Sequence, residues 1–264
     1  MRFISLFFAL QACVFFGFSQ TKYWVSSTQG NWSDAANWSF TSGGTGGAGV
    51  PQTGEDVVFD NAGSGICDLN GMTYTIATIR FNKSATFPSI INNGQINIQG
   101  DIYLDNGAQQ GTVILSLQSV GNQHLYGNLS ATNYLSGIEI DKTSGIVFIH
   151  GNVGLRDYWN LVNGTVDDFS DNTAQLTMGV PTNVGINFSI TGTQSFTDVV
   201  FKGANTFINP GDIITINEKI TFLNSTITID GGELHIQGDV DITAGNQQGT
   251  TVVRFLGSGD QHIY

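Results

Sequence analysis

Apolar residues in this chain come in brief alternating or continuous runs, each closed by Gly, Asn or Asp, and no stretch of ten or more residues beyond the amino-terminal run keeps a 3.6-residue apolar period. The runs predict strands over 56–59, 74–81, 95–98, 113–117, 137–140, 146–149, 198–201, 213–216, 219–222, 226–229, 233–236 and 251–255. Pairs such as Asn93-Gly94, Asn106-Gly107, Asn163-Gly164 and Gly231-Gly232 supply turns between them. Many short strands without helices is an all-β pattern.

The strands recur. Residues 94–126 align without a gap to residues 232–264, 138 positions later, and the two 33-residue phrases are identical at 14 positions. Shared residues include Gln99/Gln237, Gly100/Gly238, Asp101/Asp239, the Gln-Gln-Gly-Thr runs from Gln109 and Gln247, and the Gln-His-x-Tyr endings. Further upstream, Asp-Val-Val-Phe at 56–59 returns at 198–201, and Ile79-x-Phe81 returns as Ile220-x-Phe222. These offsets, 142 and 141, predict strands that stay aligned while connecting loops change length. A 138-residue spacing divides into six coils of about 23 residues, the size of one rung of a right-handed parallel β-helix. Rungs of this kind place Val, Ile, Leu and Phe inward and stack like side chains over like. Tandem β-sandwich domains are the alternative, with the scarcity of two-residue hairpin turns against them. The second phrase stops at Tyr264, where the first runs on into Gly127, which predicts a fragment of a longer repeat array.

Residues 1–19 read differently. Met1-Arg2 precedes an apolar run over 3–18 that exits through Gly17-Phe18-Ser19, the layout of a secretory signal peptide. About 16 apolar residues fall short of the ~20 a spanning helix needs, so no membrane span is expected in the mature chain. Leu10-Gln11-Ala12-Cys13 loosely fits a lipoprotein signal, but the apolar residues after Cys13 fit the signal core better. Without the signal, Cys67 is the only cysteine, so an exported chain must be held by burial and backbone pairing. Cys67 is expected as a buried small hydrophobe.

Charge narrows the function. Eight cations remain beside 21 acids after the signal is removed, too few and too scattered for a phosphate-neutralising face. Nucleic acid is therefore excluded as a partner, and anionic polysaccharides become poor ligands.

Residues 20–55 have another character, with Tyr23-Trp24-Val25, Trp32 and Trp38 placing three of the four tryptophans within 15 residues. Such a segment suits a lid over the first rung, whose open end would expose apolar interior and unpaired backbone. The run YWV…GNWSDAANWS…GVPQTGEDVVFD resembles the opening of large secreted surface proteins of gliding and polymer-degrading bacteria, whose β-helical repeats leave the cell by a type IX secretion system. In those proteins the opening directly follows the signal peptide. The resemblance implies an extracellular or cell-surface protein, and the carboxyl-terminal sorting domain of that family has no counterpart in this sequence. Similar Trp-rich openings also precede autotransporter-like repeats.

Chemistry is sparse. Trp24, Trp32 and Trp38 could stack on sugars, although packing inside a cap is the simpler reading. Asp167-Asp168, with Asp171, is an adjacent acidic pair and reads as a solvated turn. The cations Arg80, Lys83, Lys142, Arg156, Lys202, Lys219 and Arg254 stand apart in sequence, unlike those of β-helical lyases. His124 and His262 occupy equivalent repeat positions, which duplication explains, and no His spacing suggests zinc. No calcium loop or array is present. The glycine-rich loop 43–49 lacks the Lys and helix of a phosphate cradle and reads as a flexible insertion. No catalytic residue, metal or cofactor is expected. The sequence predicts a noncatalytic exported β-solenoid stalk or adhesin segment contacting glycans or surface proteins, with a polysaccharide-degrading β-helix enzyme as the alternative.

Overall fold

The computed structural model describes residues 20–83, 88–128, 134–168, 174–179, 187–202, 205–223, 226–243 and 246–264. The run over 1–19 read as a signal peptide, Cys13 and Asp171 lie outside them. The chain is a parallel β-solenoid of about eight turns, 66% strand. Each predicted strand falls on an observed one, and three pairs of neighbouring predictions are related differently by the backbone. The runs 137–140 and 146–149 lie in one strand, Leu135–Asp167, turned at Gly145, Gly151 and Gly164, all with positive φ. The runs 213–216 and 219–222 share Asn205–Phe222, and 226–229 and 233–236 share Thr226–Ile236. The run 74–81 divides instead, between Cys67–Ile76 and Ile79–Asn82.

Register shows the six coils directly. Ile102 pairs with Leu125 and Leu125 with Ile149. Four residues further along the same strand, Val153 starts the next ladder, through Leu176, Val199, Ile220 and Val240. Six turns therefore separate Ile102 from its repeat equivalent Val240. Along this ladder coils of 23 or 24 residues give way at Val199 to coils of 21 and 20, and some length changes are absorbed within the paired strands as register shifts, as between Phe196 and Asp198.

Inward positions repeat every rung. Ile76, Ile98, Leu117 and Ile140 form one fully buried column, and each such side chain contributes about 1.5–3 kcal/mol by leaving water. Phe59 stacks on Phe81 at 5.9 Å, and their repeat equivalents Phe201 and Phe222 stack at 5.8 Å. Equivalent sequence gives equivalent packing.

The aromatic segment covers the first turn. Thr21–Trp24 pairs parallel with Asp56–Asp60 on one side and antiparallel with Trp38–Ser39 on the other, so its outer edge is closed. Trp24, Trp32 and Trp38 are fully buried, with Trp38 edge-on to both others at 5.2 and 4.7 Å. Trp24 Nε1 donates to the Gly65 carbonyl and Trp38 Nε1 to that of Trp32. The glycine-rich loop is packed rather than loose, which corrects the flexible-insertion reading. Gly47 donates to Ala35 and Trp38 carbonyls, and a side chain at Gly46 would meet the Ala36 carbonyl at 1.7 Å. At the opposite end, Val252–Phe255 pairs with Thr226–Ile236, and Val252, Val253 and Phe255 are about half exposed.

Candidate functional site: an outward groove and its aromatic ladder

The repeated phrase supplies the scaffold of the site. Gln123 is fully buried, and its Nε2 donates to the carbonyls of Ile98 and Gly100 one rung below while Oε1 accepts from the Ser119 amide. Gln261 makes the same three bonds to Ile236, Gly238 and Gly257. The amides of His124 and His262 donate to Asp101 and Asp239. Thr112 donates its amide to Asn92 and accepts from the Asn93 amide through its hydroxyl, and Thr250 does the same with Asp230 and Gly231. The identities thus sit where a side chain ties one rung to the next. They were expected at corners, yet Gln123–Gly127 is itself a strand. Its alternation leaves Gln123 and Leu125 inside and His124 and Tyr126 on the outer face.

On that face the rung period builds a column. Tyr23 pairs with Val58, Val58 with Arg80, Arg80 with Tyr103, Tyr103 with Tyr126 and Tyr126 with His150. The Arg80 guanidinium lies 4.1 Å from the centre of the Tyr103 ring, and the rings of Tyr103, Tyr126 and His150 follow at 4.7 and 4.6 Å, nearly parallel. His124 joins from the side, stacked on Phe148 at 5.2 Å, with its Nδ1 2.8 Å from His150 Nε2. Arg80 also pairs with Asp105. Burial and the Asp101 carboxylate push the hydroxyls of Tyr103 and Tyr126 above the usual phenol range, so both are neutral donors at physiological pH. The facing rings cover one another, and the ladder offers ligands its edges and hydroxyls.

Toward the cap the column opens into a polar groove of about 570 Å³, lined by Tyr23, Ser42, Asp60, Arg80, Asn82 and Tyr103, with Asp56 and Thr78 at its floor. Four successive strands position these groups, and Asp60 and Asn82 are themselves in register. Tyr23 is half-buried, lines the groove and, among the described residues, stacks on no other aromatic ring. Asp56 accepts from the Thr78 amide and Asp60 from that of Ala62, each through one oxygen.

Other expected residues lie elsewhere. Trp24, Trp32 and Trp38, considered for sugar stacking, are in the core and turn no ring face to solvent. Asp168 is buried, corrects the solvated-turn reading, and accepts from both the amide and the hydroxyl of Thr197, with its carboxyl pushed up chiefly by burial. Cys67 is fully buried, and burial raises its thiol well above the usual range. Among the described residues no three His, Cys, Asp or Glu side chains are grouped to hold a metal ion. The groove residues escaped the sequence reading because they are near neighbours only through the coil. The available signal was the 22- to 24-residue spacing of Val58, Arg80, Tyr103, Tyr126 and His150. Comparison with family models, with curated proteins and with solved structures gives no match, so the site rests on its own geometry.

Proposed function

We propose that the chain is a noncatalytic β-solenoid segment of an exported bacterial surface or secreted adhesive protein, and that its outer groove contacts glycans. The observation that carries the ligand reading is the groove beside the stacked column, which Tyr23 lines with an aromatic side chain and Ser42, Asn82, Arg80 and Tyr103 with groups that can hydrogen-bond sugar hydroxyls. Sugars are recognised by this pairing of a flat apolar face with polar groups at its rim. The layout of residues 1–19 and the Trp-rich opening that follows support export, and the covered first turn suits a chain that must survive outside the cell without a disulfide.

Two measurements test the reading. Mass spectrometry of the protein released by an expressing bacterium should find Gln20 as the new amino terminus. The mature chain on a glycan array should retain at least one oligosaccharide class, and Tyr23→Ala should weaken that retention roughly tenfold, the effect of losing one stacking contact. Failure to retain any glycan, or retention unaffected by Tyr23→Ala, overturns the ligand reading.

A further inference from the structure

The charge pattern around the groove narrows its ligand. Three charged side chains line it: Asp56, Asp60 and Arg80. Arg80 is already engaged, paired with Asp105 on one side and lying over the Tyr103 ring on the other. The two lysines nearest in the fold are withdrawn as well. Lys22 is 4% exposed, with its ammonium on Glu55 and the Val50 carbonyl, and Lys83 is 1% exposed and within Coulombic reach of Asp60, one cation beside the two groove carboxylates. Asp56 and Asp60 both line the groove, and each uses one carboxylate oxygen on a backbone amide, which orients the group. The groove therefore carries a net negative field in a chain that is itself acidic.

Resting on the glycan reading above, we infer that this groove selects amino sugars bearing a free ammonium, as in glucosamine oligomers, over N-acetylated or uronic-acid sugars. An ammonium at sugar spacing meets a carboxylate oxygen of Asp60 or Asp56 while the ring lies on Tyr23. Acetylation removes the charge that the carboxylates would pair, and a uronate meets like charge. The walls argue for a sugar over a basic peptide, since hydroxyls and an amide line the groove around Val58 and two tyrosine rings, the mixed polar and flat apolar surface that sugars need.

The test is calorimetric titration of the mature chain with four probes: glucosamine hexamer, N-acetylglucosamine hexamer, galacturonate hexamer and hexalysine. The glucosamine hexamer should bind at least about tenfold more tightly than the acetylated one, with the preference shrinking at high salt. Asp60→Asn keeps the amide contact and removes the charge. It should lower glucosamine affinity roughly fivefold to tenfold, leave binding of the acetylated oligomer within about twofold, and leave the circular-dichroism spectrum of the folded chain unchanged. Equal affinity for both glucosamine oligomers, or indifference to Asp60→Asn, overturns the ammonium selection while the glycan reading stands. Tighter binding of galacturonate also overturns it. Binding of hexalysine as tight as glucosamine, with the same Asp60 dependence, overturns the sugar assignment. Absence of binding by every probe, together with an empty glycan array, removes the glycan reading itself.

Discussion

Replacing Gln123 with Met should destabilise the solenoid far more than the same change at its repeat equivalent, Gln261. Met has similar volume and no hydrogen-bonding side chain, so the perturbation is loss of polar partners with little change in packing. In the fully buried Gln123 four bonds disappear: to the Ile98 and Gly100 carbonyls, from the Ser119 amide, and from the Lys142 ammonium at 2.9 Å. Lys142 keeps the Ser119 and Gly121 carbonyls. Each buried neutral group left unpaired costs about 1–3 kcal/mol, but half-buried Gly100 and Ser119 recover water. The buried Ile98 carbonyl keeps the Gln118 amide and loses its shorter second bond, and with the weakened lysine the total is about 2–3 kcal/mol. Gln261 has no lysine on its amide oxygen and is half-buried, so Gln261→Met should cost about 1 kcal/mol. Equilibrium urea unfolding followed by circular dichroism reads both values, and hydrogen exchange at the Ser119 amide reports the local opening. A double-mutant cycle with Lys142→Met should show coupling of about 1–2 kcal/mol. Equal losses at the two glutamines would refute the weight given to burial and Lys142, and a loss under about 1 kcal/mol at Gln123 would refute the view that these identities bind rungs together.

Two glycines with nearly the same φ separate backbone strain from collision. Gly47 has φ +111° and open space around its missing Cβ, so Gly47→Ala should cost about 1–2 kcal/mol, whereas Gly111, at φ +109°, would place a Cβ 2.0 Å from the Ile91 carbonyl, and Gly111→Ala should cost about 3 kcal/mol or more by thermal unfolding. Trp38→Ala should cost about 3–5 kcal/mol and shift tryptophan emission to the red, since it removes the ring that packs against both Trp24 and Trp32. Asp168 sets a pH slope. Its carboxyl is raised in the fold, so the unfolded chain releases this proton first, and the group's contribution to stability is full below the ordinary aspartate range and falls as pH rises through the folded value. Asp168→Asn keeps partners for both Thr197 groups, and its urea midpoint should decline less across that window than that of the parent protein.

The sequence carried the architecture because a solenoid writes its period along the chain. The offsets 142, 141 and 138 at Val57/Val199, Ile79/Ile220 and Ile102/Val240 became three stacked rungs in the same order, and the shrinking offsets are the shorter coils of the second half. Turn residues were harder to place. A Gly in a bent strand and a Gly in a corner look alike in sequence, which is why 137–140 and 146–149 were expected apart. The burial of Asp168 was illegible for another reason: its partner Thr197 is 29 residues away, and nothing at 167–168 announces it.

The groove was hidden by the same period that revealed the fold. A stacked rung must keep inward positions alike, because each Ile or Phe packs on the one below, and those positions advertise themselves by repetition. Outward positions carry no such demand. Tyr103 and Asp241 are repeat equivalents, yet one belongs to an aromatic column and the other pairs with Lys219. Divergence on the outer face of an otherwise faithful repeat is what a ligand-contacting surface needs, since the scaffold can hold register through Gln123, Thr112 and Asp101 while the exposed side chains are free to specialise. Most of the fourteen identities therefore mark the scaffold, with His124 and Tyr126 as outward-facing exceptions. Any recognition must be sought among the positions that differ or lie outside the phrase, and Tyr23, Asp60, Arg80, Asn82 and Tyr103 are all of that kind.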